Sequence, residues 1–353
     1  MSVFSSLLRQ SAAFCIIFFA VFSFANAQEE HTPKATEHAS EEHPSEKKEN
    51  ISDVILHHVM DDHIWHLWDG HYGTIYLPVI AYTSEGLKLF SSHNFYDDHH
   101  HATKEYEGLK LDHGHIVEVS TGKSAFDLSI TKNVAMLFIN AILLLLIFTA
   151  VARGYKKNAG KAPSGIQSFF EPIIIFVRDE VVKPNIGHHY AKFMPYMLTL
   201  FFFILFGNLL GLLPGAGNLT GNIAVTLVLA VLTFIITNAN GNKAYWGHIF
   251  WTPGVPLPLR VVILPVEILG IFTKPISLTL RLFVAITAGH IVLLSLIGLA
   301  FIFQSYWVGL GSSLMVLFIN LIELLVAGIQ AYVFTLFSSL YIGMAIAEHD
   351  DHH

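Results

Sequence analysis

The sequence predicts an all-α polytopic membrane protein with five membrane-crossing elements, two of them long tilted helices. An interfacial amphipathic helix and a small β-rich extracytoplasmic N-terminal region accompany them. Three observations carry this prediction. The 353 residues are 53% hydrophobic and only 13% charged, where soluble domains carry about 25%. Several apolar runs approach or exceed the roughly 20 residues that cross a bilayer. Charge is also divided along the chain: residues 28–130 hold 19 acidic side chains against 7 lysines and no arginine, whereas residues 131–353 hold 12 basic against 8 acidic.

Residues 1–27 have the layout of a cleavable secretory signal. Arg9 precedes the apolar "SAAFCIIFFAVFSF", and the small-residue site "ANA" follows. An uncleaved N-terminal anchor is the competing reading. Cys15, the only cysteine, lies inside this segment, so the mature chain would hold no disulfide and no thiol chemistry.

Residues 28–60 are rich in Glu, Lys, His, Ser and Pro and cannot supply a core, which predicts a disordered acidic segment. In residues 61–125, "HIWHLWDG", "TIYLPVIAY", "LKLFSS" and "IVEVS" are short aromatic or β-branched runs separated by turn formers. They predict a small β-rich domain.

The membrane domain is expected over residues 126–348. Its first span covers 134–152, and "RGYKKNAGK" follows with Arg153, Lys156, Lys157 and Lys161. The positive-inside rule makes that loop cytoplasmic and the N-terminus extracytoplasmic. The stretch "SGIQSFFEPIIIFVRDEVVKPNIG" carries Glu171, Arg178, Asp179 and Glu180 and is read as an interfacial helix. Spans two and three are expected over 193–213 and 222–237, with "NANGNKAYWGH" as the turn after them. The tract 257–303 contains 47 residues, roughly 70 Å as a helix, more than twice the hydrocarbon thickness of about 30 Å. It must tilt or bend, with Pro265 and Pro275 as the candidate bends. The tract 311–347 is also too long to stand upright. Five crossings place the tail, residues 349–353, in the cytoplasm.

The intramembrane charges are the functional signal, because each costs roughly 2.5–3.5 kcal/mol to insert. Arg260, Glu267, Lys274 and Arg281 recur every seven residues and share one helix face, drifting about 20° per step. Such a stripe faces water or a protein partner; structural ion pairs with snorkelling Arg and Lys are the alternative. His290 falls half a turn out of phase with Arg281, about 13 Å along the axis. Arg281 cannot give up its proton, whereas His290 can, so a fixed barrier beside a proton path is indicated. Glu323 and Gln330, seven residues apart in "FINLIELLVAGIQAYVF", share a face. Glu323 reads as a relay member or as a structural hydrogen bond between packed helices. The chain has no GxxxxGK[ST] loop and no facing pair of buried histidines for haem.

The segments "GNLLGLLPG", "PVEILGIFTKPISLTLRLF" and "QAYVFTLFSSLYIGMAIAEH", in that order, resemble the a subunit of the F-type ATP synthase. The resemblance covers about residues 125–348. It implies a non-catalytic proton-conducting subunit, with a ring of c subunits, the b subunits of a peripheral stalk, membrane lipid and protons as partners. It implies no cofactor and no nucleic acid, and a bacterial inner-membrane location. By this resemblance Arg281 is the essential arginine that faces each c-subunit carboxylate and separates two offset half-channels. Glu267 matches an acidic position of one half-channel, the cytoplasmic one; His290, Glu323 and Gln330 match polar positions of the other. Many bacterial members have glutamate and histidine exchanged at the positions of His290 and Glu323, which argues that the two side chains meet. The chain departs from the family at Ala285, where asparagine is common. Lys274, Ser277 and Asn222 are secondary polar candidates.

Two other readings are open on sequence. The same charges would serve an independent ion channel or secondary transporter, although no internal repeat is found. The N-terminal extension holds 14 of the 21 histidines, and His99, His100 and His101 could contribute to a zinc or copper site. Solvated, weakly buffering histidines are the preferred reading, with no bound metal.

Overall fold

The structure, a computed structural model, describes residues 61–347 except 67–72, 84–85, 98–101, 103, 113, 159, 214–215, 252–255 and 304. The expected signal, the acidic segment 28–60, the tail and the histidine triplet 99–101 therefore lie outside the described residues.

The N-terminal region is built from short antiparallel strands. β1 (Ile64–His66) pairs with β2 (Thr74–Tyr76). β3 (Pro78–Thr83) lies between β4 (Gly86–Ser91) and β7 (Phe126–Asp127). β5 (Leu109–Asp112) pairs with β6 (His115–Glu118). The strand period of two is visible in β3, where Val79 and Ala81 are buried while Tyr82 is exposed. Phe95, Leu109 and Ile116 complete a small core with them. The sheet extends past the expected limit at residue 125. After β7, Leu128 N donates to Ile80 O and Ile130 N to Pro78 O, which carries the ladder to the start of the first long helix.

That helix, α1 (Lys132–Lys157), begins at Thr131, whose hydroxyl accepts from Val134 N. It ends in Lys156 and Lys157, favourable at the negative end of the helix dipole. Next comes an unbroken run of helical turns from Ile166 to Gly211, 46 residues long. It comprises α2 (Ile166–Phe176), a π-helical turn (Val177–Val182), α3 (Lys183–Ile186), a 3-10 turn and α4 (Tyr190–Gly211). The stretch expected to lie as a separate interfacial helix is thus joined directly to the second span. The wide turn leaves Val181 O open to side-chain donors: Asn185 Nδ2 at 2.7 Å and Ser339 Oγ at 3.3 Å.

α5 (Ile223–Ala239) is followed by α6 (Lys243–Phe250), bent from it by 102°. Sequence reading expected only a turn over this second segment. Its placement depends on a distant part of the chain: Asn242 N donates to Ala345 O, and Asn242 Nδ2 to Ile346 O and Ala347 O, at 2.9–3.0 Å. α7 (Leu257–Phe303) and α8 (Tyr306–Ile346) are the two long helices, of 47 and 41 residues. The helix runs through both Pro265 and Pro275. Among the described residues, four helical runs are long and apolar enough to cross a membrane, and the bent α5–α6 pair makes a fifth.

α7 packs on α8 and α5, α8 on α4, and α4 on α1. Met197, Leu200, Phe202, Phe203 and Leu229 fill the centre. The outer faces of α7 and α8 are open and apolar: Val262, Val266, Leu314, Leu317 and Leu321 are each more than 60% exposed. In a membrane protein such a face meets lipid or another subunit.

Candidate functional site

The seven-residue stripe survives as one feature because α7 is continuous. Arg260, Glu267, Lys274 and Arg281 are all partly buried, at the margin between the packed and the open faces. Each cation rests on an aromatic ring: Arg260 over Trp251 at 4.1 Å, Lys274 over Tyr341 at 5.3 Å, and Arg281 over Phe337 at 4.3 Å. The ring faces offer the cations an attractive quadrupole in place of water. Glu267 lies 3.9 Å from His248 Nδ1 on α6. Lys274 borders a small cleft that Thr233, Thr237, Asn238, Tyr245 and Tyr341 also line.

Further along α7, Gly289 meets α8. Glu323 is 4% exposed, and its carboxyl lies against Gly289 so closely that an added Cβ would be 2.7 Å from Oε1. A Cβ at residue 289 would displace the carboxyl from this position. His290 is the next residue, so the structure brings Glu323 to the backbone beside it. The contacts Lys274–Tyr341, Arg281–Phe337 and Gly289–Glu323 describe one antiparallel register. Residue 285 is midway between 281 and 289, and residue 330 midway between 337 and 323. Gln330 is therefore level with Ala285, between the arginine and the Glu323 carboxyl.

Behind Glu323, Asn208 on α4 donates through Nδ2 to Ala327 O at 3.2 Å, and its Oδ1 accepts from Thr220 at 2.7 Å. Ala327 is one turn beyond Glu323. Sequence reading did not select Asn208; "FGNLLG" gives no local sign of a partner 119 residues away. Of the secondary candidates, Ser277 is exposed. Asn222 caps α5, its side chain accepting from Ala224 N at 2.8 Å. Thr226, fully buried, donates to Ile223 O.

A family model described as ATP synthase A chain matches residues 134–343. The chain belongs to the ATP synthase A chain family. That family is the one its arginine and glutamine segments resemble, the a subunit of the F-type ATP synthase. The matched region contains α1 to α8 almost completely, with every charge of the stripe.

Curated relatives agree with this family. A protein of Chlorobaculum tepidum named ATP synthase subunit a 2 is 50% identical over 236 residues, 65% of this chain and 66% of its own length. ATP synthase subunit a of Chloroherpeton thalassium is 45% identical over 269 residues, covering 75% and 78% of the two chains. ATP synthase subunit a 2 of Chlorobium luteolum is 39% identical over 320 residues, covering 89% and 81%. This chain thus spans just under two thirds of the first relative and about four fifths of the other two. A second family model, described as a domain of unknown function, matches residues 54–137, which takes in the β-rich region and the first turn of α1.

Proposed function

We propose that this chain is the proton-conducting stator subunit of a bacterial F-type ATP synthase. It offers two offset half-channels to a c-subunit ring and is held by the b subunits of a peripheral stalk. The chain would lie in the inner membrane, with its N-terminal region outside and its C-terminus in the cytoplasm. The single observation that supports this most is the division of labour along α7. Arg281, which holds its charge, sits at the margin of the open apolar face, while the titratable pair His290 and Glu323 lies about 12–13 Å further along the axis.

In this reading Arg281 meets the carboxylate of each passing c subunit, keeps it ionised and blocks direct proton passage between the half-channels. His290, Glu323 and Gln330 serve the outer access path. A neutral imidazole can take a proton and a carboxylic acid can give one, so the pair relays protons that Arg281 cannot. Glu267 serves the opposite side, where His248 and the cleft beside Lys274 open toward the α5–α6 bend. Gln330, level with Ala285, supplies an amide at the height where the usual asparagine is missing.

The test is ATP-driven proton pumping in inverted vesicles that carry the assembled complex. Arg281→Ala should abolish pumping and open a passive proton leak. Unchanged pumping would remove the barrier role. Ion transport by the purified chain alone in liposomes would favour an independent channel or transporter instead.

A further inference from the structure

Three consecutive residues, Asp61, Asp62 and His63, join the N-terminal domain to the first long helix. The Asp61 carboxylate accepts from Thr131 Oγ1 at 2.8 Å and from Asn133 N at 3.1 Å. It thereby caps α1 from outside the helix, at the end where the dipole favours negative charge. Lys132 N donates to Asp62 O at 2.9 Å, and Asp62 Oδ1 accepts from the Tyr96 hydroxyl at 2.8 Å. His63, 2% exposed, places Nε2 2.9 Å from Asp127 Oδ2 on β7. Asp127 Oδ1 also accepts from Ser129 N at 2.7 Å. One short segment therefore ties together α1, β7 and the turn that ends at Tyr96.

We propose that Asp61, Asp62 and His63 form a proton-operated clamp that seats the N-terminal domain on the start of α1 and loosens as the surrounding pH rises. The titratable groups at the joint are these three, Tyr96 from the turn after β4, Asp127 from β7 and Lys132 from α1. His63 Nδ1 is buried without a hydrogen-bond partner. It is the atom that gains or loses the proton, while Nε2–H stays on Asp127.

The chemistry gives the sign. Burial opposes a charged His63, but the bond to Asp127 and the charges of Asp127, Asp62 and Asp61 outweigh it and raise its pKa. Burial also dominates at Asp61 and raises its pKa despite the bonds from Asn133 and Thr131. Asp127 is lowered: burial opposes its charge, and the bond and charge of His63 prevail. A raised pKa means that the seated state holds its proton more tightly than the released one. The contribution of His63 is thus complete below its ordinary value of about 6.5 and is lost as pH rises through its raised value. The contribution of Asp61 likewise declines as pH rises through its own raised value. Asp127 acts oppositely, losing its contribution only as pH falls through its lowered value. The clamp is firmest in mild acid, above the lowered range of Asp127 and below that of His63.

The experiment is hydrogen exchange at the Lys132 and Asn133 amides in the assembled wild-type complex, from pH 5.5 to 8.5, corrected for intrinsic exchange. Protection should fall with rising pH above about 6.5, by at most about tenfold per pH unit for one linked proton. His63→Gln, which retains a donor for Asp127 but cannot titrate there, should flatten that profile. Wild-type protection that does not change with pH overturns the clamp, as does an unchanged slope in His63→Gln. Should the variant fail to assemble, the wild-type profile decides alone. The clamp does not depend on the role of Arg281.

Discussion

The carboxyl of Glu323 is seated on the backbone of Gly289, one residue before His290 on the neighbouring helix. The Glu323 carboxyl occupies the space that a Cβ at residue 289 would take. Gly289→Ala should push Glu323 out of its seat and reduce ATP-driven pumping several-fold, and Gly289→Val should reduce it further. Pumping at the wild-type rate in Gly289→Val would separate Glu323 from the path.

The neighbourhood of His290 and Glu323 predicts coupling between them. His290→Glu and Glu323→His should each impair pumping, and the double exchange should recover more than either single variant. A double-mutant cycle on the pumping rate should give an interaction of about 0.5–3 kcal/mol. Simple additivity would mean that the two act independently.

Asn208 is expected to matter for stability as well as for the site. Asn208→Leu removes the acceptor of the buried Thr220 hydroxyl and the second donor to Ala327 O, which keeps its bond within α8; one unsatisfied buried group costs about 1–3 kcal/mol. The thermal midpoint of the detergent-purified complex should fall. Adding Thr220→Val should cost less in this background than in the wild type, because its partner is already gone.

Gly343 on α8 is in close approach to the backbone oxygen of Asn185, leaving no space for a Cβ. Gly343→Ala must separate α8 from α3, since backbone cannot rotate aside as a side chain can. We expect a loss of about 1–3 kcal/mol, read as reduced assembly in membranes at unchanged expression. Normal assembly would show that the crossing can widen without penalty.

Much was legible in the sequence because it depends on local repetition. Apolar runs of bilayer length gave the long helices, and the limits of α7 match the tract 257–303. The spacing of Arg260, Glu267, Lys274 and Arg281 placed them on one face, which needs only an unbroken helix. The alternating runs in residues 61–125 gave the strands, although β7 and the ladder beyond it were missed. Two residues of strand at the edge of a membrane helix have too little period to register.

What the sequence alone determined was therefore the class of protein, its spans and the line of intramembrane charge. Helix period and hydrophobic thickness are properties of the chain and its solvent, and both can be read from one segment at a time. Only the tertiary structure decided which residues meet. The seat of Glu323 on Gly289, the bond from Asn208 to Ala327, the anchoring of Asn242 at the end of α8 and the capping of α1 by Asp61 all join segments 34–119 residues apart. Such contacts are fixed by helix register and close packing, which leave no local pattern in either partner.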